Sequence, residues 1–270
     1  MRVRTAFRGI CYGILGVALA ASITACGGKK DDLDAPDAGG AAATGGGPKV
    51  DAATAGNIEG VIAFEGAAPK NEPIKMNADP VCVKENPTPQ TQESYEVADG
   101  KLANVFVYIK DGLGNFSYDA PSGAVTIDQK GCRYHPHVLA VRIGQNLEIV
   151  NNDPTLHNIH ALPKSNQEFN TGQPIQGMKT THVFTTKETM VPFKCDVHGW
   201  MNAYLAVMDH PYFQVTGADG KFSLKGVPPG KYTIEAWHEK AGTQTATVEV
   251  GAKETKTANF SFKAAATATD

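Results

Sequence analysis

The 270-residue sequence has no cationic excess, no long helical stretch and no common hydrolase motif. Its 25 basic and 28 acidic residues give a formal net charge of −3, and no basic patch stands out. A nucleic-acid partner is therefore not expected. Amphipathic stretches with helical periodicity are missing, which argues against a helical bundle. Neither a G-x-S-x-G elbow nor an H-E-x-x-H motif occurs, so the chain is predicted not to be a serine hydrolase or a zinc protease.

Residues 1–25 have the pattern of a bacterial export signal. Three arginines and no acidic residue precede an apolar run over residues 10–25, which is too short for a typical membrane span. The run ends in ITAC, which resembles the lipobox of bacterial lipoproteins. That resemblance implies a lipoprotein signal peptide over 1–25 and lipidation of Cys26. The mature protein is then expected in the cell envelope, lipid-anchored at the outer membrane or the periplasmic face. A plain secretory signal is the alternative.

The stretch after the signal is rich in Gly, Ala and Asp and has little apolar surface to bury. This composition predicts a disordered tether over residues 26–56. About thirty such residues have a mean reach of roughly 30 Å, enough to hold a folded body clear of a membrane.

The five cysteines can be separated by their position in the chain. Cys11 would leave with the signal and Cys26 would carry lipid, so three remain in an oxidising compartment. One of the three must be free, bound to metal or paired outside the chain. Cys195 has the chemically interesting neighbours, so Cys82 and Cys132 are the possible disulfide, by elimination.

The body of the chain is rich in short, alternating segments of Val, Ile, Phe and Tyr, separated by Gly, Pro and Asp turn signals. This pattern predicts an all-β protein made of β-sandwiches. Near the C-terminus, DGKFSLKGVPPGKYTIEAW resembles the carboxypeptidase-regulatory-like module, also called transthyretin-like or starch-binding-like. The resemblance implies a small β-sandwich over residues 211–265. It implies no peptidase activity.

Three residues with soft or borderline ligand atoms lie in FKCDVHGWM, residues 193–201. Cys195, His198 and Met201 are expected on one loop between two predicted strands. A thiolate, an imidazole and a thioether suit copper and are poor ligands for calcium or magnesium. Zinc seldom uses methionine. Upstream, GQNLEIVNNDPTLHN predicts a strand and a turn that end at a further candidate ligand, His157.

The order G-x-x-L-x-I-x-N-x-D…H-N, followed later by C-x-x-H-x-x-M, resembles the cupredoxin family, with a short ligand loop as in amicyanin. The resemblance implies a Greek-key β-sandwich over residues 124–210, with 57–123 as an N-terminal β extension and loop. It also implies one copper ion in a trigonal site with a weak axial thioether. The implied metal ligands are His157, Cys195, His198 and Met201. Asn158 is expected near the thiolate, where it helps to hold the site.

Two further histidines leave alternatives open. Cys132-x-x-His135 repeats the spacing of Cys195-x-x-His198, so a Cys₂His₂ zinc site is formally possible, although the upstream histidine would then have no role. His135 and His137 share one face of an extended strand, and either could be an extra or replacement ligand. A nucleophilic Cys195 with His198 as its base lacks an evident orienting group.

The predicted function is electron transfer by an envelope-anchored mononuclear copper protein. A rigid sandwich places the ligands in advance, and the ligand set leaves no obvious open position for substrate, so the chain is predicted not to be an enzyme. Its expected partners are a redox protein of the envelope and the membrane. The alternatives are a surface module that binds a glycan or protein around a structural metal, and an envelope copper-handling protein.

Overall fold

The computed structural model describes residues 46–265, and these are nearly all in strands and turns. The all-β prediction is confirmed. The predicted signal peptide, Cys11, Cys26 and the tether up to residue 45 lie outside the described residues. Within the described part, no helix is long and apolar enough to cross a membrane.

The helix of the described part is α1 (Pro80–Glu85), which is short. The strands in chain order are β1 (Gly56–Glu65), β2 (Val97–Ala98), β3 (Lys101–Leu102), β4 (Phe106–Asp111), β5 (Val125–Lys130), β6 (Arg133–His135), β7 (Val138–Arg142), β8 (Asn146–Asn151), β9 (His157–Ala161), β10 (Phe169–Gln173), β11 (Lys179–Val183), β12 (Glu188–Lys194), β13 (Asn202–Met208), β14 (Phe213–Val215), β15 (Lys221–Val227), β16 (Gly230–His238), β17 (Gly242–Val250), β18 (Thr255–Thr257) and β19 (Phe260–Lys263).

The first sandwich is formed by strands β5 to β13. One sheet has the order β10-β9-β12-β13-β7 and the other has the order β11-β8-β5-β6, with parallel pairs β13/β7 and β5/β8. Ile127 and Ile149 from the smaller sheet pack in one apolar core with Phe193 and Leu205 from the larger sheet. Side chains of both sheets therefore meet between them, which is the arrangement of a sandwich.

The second sandwich is built from both ends of the described chain. Its first sheet has the order β15-β1-β3-β2, with β18 and β19 also paired to β1, and its second has the order β14-β4-β16-β17. Ile58 and Ile62 of β1 share a core with Ile234 of β16. Strands β1 and β4 come from the segment 57–123, which was predicted as an N-terminal extension of the first sandwich, and both pair with C-terminal strands.

Strand β4 connects the two cores. Val107 and Ile109 point into the core of the second sandwich, whereas Phe106 and Tyr108 pack with Val138 and Met208 of the first. All four residues from 106 to 109 are buried. A strand covered on both faces needs a continuous apolar run rather than an alternating one, and FVYI supplies it.

The described end of the predicted tether differs from the expected disorder. Lys49 forms a β-bridge with Ser117, and its Nζ lies 2.7 Å from Asp119 Oδ1. The N–H of Lys253 donates to the carbonyl of Thr54 at 3.0 Å. Residues 46–56 are therefore tied to the body by polar contacts, which a composition low in apolar residues does not reveal.

A buried histidine at the end of β16 should make stability depend on pH. His238 is 1% exposed, its Nδ1 accepts the N–H of Ala241 at 3.1 Å, and burial lowers its pKa to about 4. An unfolded histidine has a pKa of about 6.5, so the unfolded state binds more protons between the two values and stability falls as pH drops through that window.

We expect His238 to lower the unfolding free energy by about 2 kcal/mol as the pH falls from 7 to 4.5, since one pKa unit corresponds to about 1.4 kcal/mol. Urea unfolding at several pH values would measure the slope. His238→Gln is expected to flatten it. Identical slopes in both proteins would show that this side chain is not the source.

Candidate metal centre

Three predicted ligands meet at one end of the first sandwich. His157 is the first residue of β9, Cys195 follows the end of β12, and His198 lies in the loop before β13. Their ligand atoms all lie within 4.8 Å of one another. The two Nδ1 atoms are 2.9 Å apart, and the His198 N–H donates to Cys195 Sγ at 3.3 Å. The structure therefore brings two imidazoles and one thiol to a single point.

The ligand loop is closed at its base by backbone hydrogen bonds. The N–H of Cys195 donates to the carbonyl of Met201 at 3.2 Å, and the N–H of Met201 donates to the carbonyl of His198 at 2.8 Å. Met201 is 1% exposed and belongs to the same apolar cluster as Cys195. Its backbone thus fixes the loop, while axial ligation by its thioether stays a prediction.

Asn158, predicted to lie near the thiolate, connects the two ligand-bearing segments. Its Oδ1 accepts from Cys195 Sγ at 3.2 Å and from the N–H of Asp196 at 2.8 Å. Its Nδ2 donates to Asn170 Oδ1 at 2.7 Å. The amide therefore holds the start of the ligand loop against β9, and its oxygen is an acceptor beside the Cys195 thiol.

Each histidine is held from behind by a carboxylate that the sequence did not suggest. His157 Nε2 lies 2.9 Å from Asp153 Oδ2, and His198 Nε2 lies 3.0 Å from Asp79 Oδ2. These contacts leave both Nδ1 atoms facing the centre. An acidic partner on the outer nitrogen fixes the ring orientation of a metal-binding histidine and raises its basicity.

The sequence indicates the two carboxylates to different degrees. Asp153 is four positions before His157 and is the aspartate of the motif that precedes this histidine in the sequence. Asp79 is 119 positions before His198 and lies in a polar, proline-rich loop, so no local pattern points to it.

Cys195 is arranged to ionise easily. Burial opposes ionisation, but hydrogen bonding with His157 and His198, and with the neighbouring Asn158, outweighs it and lowers the pKa of the Cys195 thiol to about 6. The thiolate is the metal-binding form of cysteine. At neutral pH the site therefore offers one negative sulfur and two imidazole nitrogens.

This donor set fits copper. A thiolate with two imidazoles is the equatorial set of copper electron-transfer sites, and soft sulfur with borderline nitrogen disfavours calcium and magnesium. His157, Cys195 and His198 are each at most 2% exposed. Burial keeps water from competing for the metal.

The structure does not bring His135 or His137 to the centre. His135 is exposed, with its Nε2 3.2 Å from the carbonyl of Lys130. His137 is buried, with its Nε2 2.7 Å from Glu239 Oε1. The expected shared face fails because β6 ends at His135 and β7 begins at Val138, so no single extended strand carries both. Among the described residues, neither belongs to a group of potential ligands around Cys195.

Cys82 and Cys132 form a disulfide with a Cα–Cα distance of 5.6 Å, so the Cys₂His₂ zinc alternative loses one of its cysteines. In the part of the chain that the structure describes, Cys195 is the free cysteine. The disulfide itself lies beside the centre, because Cys82 Sγ is 3.6 Å from His198 Nε2.

Comparison with known proteins covers parts of the chain. A family model of the carboxypeptidase regulatory-like domain matches residues 205–263, which agrees with the C-terminal resemblance. No curated protein matches the sequence.

Among solved structures, the copper-containing nitrite reductase NirK from Thermus scotoductus SA-01 is 21% identical, with a TM-score of 0.31, over 36% of this chain. This chain spans only 24% of that enzyme. A Cu(I) amicyanin mutant is 20% identical, with a TM-score of 0.29, over 33% of this chain and 87% of its own. A purple cupredoxin from Nitrosopumilus maritimus is 21% identical, with a TM-score of 0.27, over 31% of this chain and 98% of its own. Residues 205–263 are thus similar to a carboxypeptidase regulatory-like domain, and each of the three solved structures matches about a third of this chain.

Proposed function

We propose that this protein binds one copper ion at the candidate metal centre and transfers electrons. The observation that carries the proposal is the buried group of His157, Cys195 and His198, with both Nδ1 atoms turned inward. When bound, copper would supply a reversible one-electron redox couple.

The residues around the ligands favour small rearrangement. Each imidazole has its outer nitrogen held by a carboxylate, and the sulfur accepts one backbone N–H while lying within hydrogen-bond distance of the Asn158 amide. His157 and Asn158 are on β9, and Cys195 and His198 are on a loop closed by backbone hydrogen bonds. A centre that holds its ligands in place lowers the geometric change that accompanies electron transfer.

The site also favours electron transfer over catalysis. His157 is fully buried, and Cys195 and His198 are nearly so, so a substrate would have no direct approach to the metal.

We further propose that the protein works in the cell envelope, anchored through Cys26, with a redox protein as its partner. The export signal and the disulfide support this placement, since disulfides persist in oxidising compartments.

Copper titration tests the proposal. The full chain carrying Cys11→Ser and Cys26→Ser keeps Cys195 as its cysteine outside the disulfide. We expect one equivalent of Cu(II) to produce an intense visible thiolate-to-copper absorption, because the sulfur would be a direct ligand. Cys195→Ser is expected to abolish it, and Asp119→Asn, an exposed site, to leave it unchanged. Absence of the band, or its survival in Cys195→Ser, would refute copper–thiolate binding.

A further inference from the structure

The outer edge of His198 is covered by the segment 79–86, which consists of Asp79, helix α1 and Asn86. His198 is 2% exposed. Its Nε2 faces Asp79 Oδ2 at 3.0 Å and Cys82 Sγ at 3.6 Å. The imidazole edge that points away from the other ligands is thus closed by a piece of chain that belongs to neither sheet of the first sandwich.

Asp79 uses its two oxygens for different purposes. Oδ1 accepts the N–H of Val81 at 2.7 Å and so caps the start of α1. Oδ2 accepts the Thr155 hydroxyl at 2.8 Å and faces His198 Nε2. The second oxygen therefore links the covering segment to the loop before His157 and to the ligand His198.

The covering segment is fastened at its other end. The disulfide joins Cys82 to Cys132, and Asn86 Nδ2 donates to the carbonyl of Gly131 at 3.0 Å. Cys132 and Gly131 also donate their N–H groups to Asp153 at 2.7 Å and 2.8 Å. The segment is therefore attached to the same turn that carries the partner of His157.

We infer that residues 79–86 form a disulfide-locked cover over the metal centre, and that Asp79 is the positioning residue of His198. With Nδ1 turned toward the metal position, His198 has only its Nε2–H left to donate, and Asp79 accepts it. The cover then controls both the ring orientation and the access of small molecules to Cys195 and to bound metal. The metal-related part of this inference rests on the proposed copper function, whereas the access part does not.

Asp79→Asn separates the two uses of the carboxylate. Asparagine is as good a helix N-cap as aspartate, so its single oxygen can still accept from Val81. Its NH₂ group then faces His198 Nε2, where a donor meets a donor. The variant should therefore keep α1 and lose the contact with the imidazole. Asp79→Glu restores the charge, and Asp119→Asn is the exposed control.

The first measurement needs no metal. Cys195 is alkylated with iodoacetamide in the Cys11→Ser, Cys26→Ser chain, and the extent is read by mass on the peptide that contains Cys195. All variants are alkylated at the same pH, and the rate reports the access of the reagent to the sulfur. We expect Cys82→Ala with Cys132→Ala to speed alkylation at least tenfold, Asp79→Asn to speed it less, and Asp119→Asn to match the wild type.

The second measurement uses the copper-loaded chain and an excess of a chelator. Loss of an outer partner of a metal-binding histidine commonly weakens metal binding roughly 10- to 100-fold, so we expect Asp79→Asn to speed copper loss by a factor in that range. The thiolate-to-copper band should also shift, because the ring of His198 turns. Asp79→Glu should partly restore both.

The outcomes separate the two proposals. If the wild type shows no thiolate-to-copper band, the copper proposal fails, and alkylation still reports on the cover. If the band is present but Asp79→Asn changes neither the band nor the copper-loss rate, Asp79 is not a positioning residue. If removal of the disulfide leaves the alkylation rate at the wild-type value, the cover is not locked by it.

Discussion

Replacing both Cys82 and Cys132 by alanine is expected to lower the unfolding free energy of the metal-free protein by about 4 kcal/mol, the loop-closure value for a loop of this length. The two residues are 50 positions apart, so the crosslink removes many conformations from the unfolded chain. Both side chains are fully buried, and alanine avoids leaving a buried hydroxyl without a partner.

Urea unfolding followed by tryptophan fluorescence is a suitable measurement, because Trp200 reports on this region. Its Nε1 donates to the carbonyl of Cys132 at 3.0 Å. Asp119→Asn should change stability by less than about 0.5 kcal/mol, as for other exposed substitutions. A loss below about 1 kcal/mol in the double alanine variant would mean that noncovalent contacts alone hold the covering segment, against the loop-closure expectation.

The grouping of His157, Cys195 and His198 could be predicted from the sequence because each of them lies beside a strand with a clear local pattern. β12 and β13 flank the loop with Cys195 and His198, and β9 starts at His157. Alternating burial along β16 likewise matches the alternating Tyr232, Ile234 and Ala236. Period-two patterns identify such strands without knowledge of their neighbours.

The partners of those strands could not be predicted in the same way. β1 alternates as clearly as β16 does, yet Gly60 pairs with Phe222 and Ile62 pairs with Phe260. The local sequence of β1 does not indicate that its partner strands lie near the C-terminus. Sequence neighbours are the default expectation for pairing, and the segment 57–123 was therefore assigned to the sandwich that follows it.

Polar partners were missed for a related reason. The sequence makes His137 a ligand candidate because it is expected to share one strand face with His135, but its Nε2 contacts Glu239, 102 positions away. Asp79 is 119 positions from His198, and no residue near it in the sequence indicates that contact. The role of a histidine or a carboxylate depends on the groups that the fold places beside it. Spacing along the chain identifies those groups only when they lie on the same loop or strand.

Asp153 is the residue whose loss should affect the metal centre and the fold together. Its side chain is fully buried, with 0% exposure. Its carboxylate accepts hydrogen bonds from Gly131, Cys132 and His157. Burial raises the pKa of Asp153, but these hydrogen bonds outweigh it and hold the pKa below its ordinary value. The carboxylate is therefore charged and buried, and it accepts three hydrogen bonds.

We expect Asp153→Ala to lower the unfolding free energy of the metal-free protein by about 3 to 5 kcal/mol, the usual cost of removing one member of a buried pair. Two backbone N–H groups and one imidazole would lose their acceptor. Asp153→Asn keeps the shape and should cost less. Copper binding in Asp153→Asn should weaken roughly 10- to 100-fold, because His157 loses the partner that orients it.

Asp128→Asn provides the matched control, because Asp128 is a nearby acid whose Oδ1 accepts from Asn152 at 2.9 Å. Its substitution should cost about 1 kcal/mol or less, the value of an ordinary hydrogen bond, and should leave copper affinity unchanged. Urea unfolding and competition with a copper chelator measure the two quantities. Wild-type copper affinity in Asp153→Asn, with reduced stability, would make Asp153 an anchor of the turn at Gly131 and Cys132 and not a determinant of the metal centre.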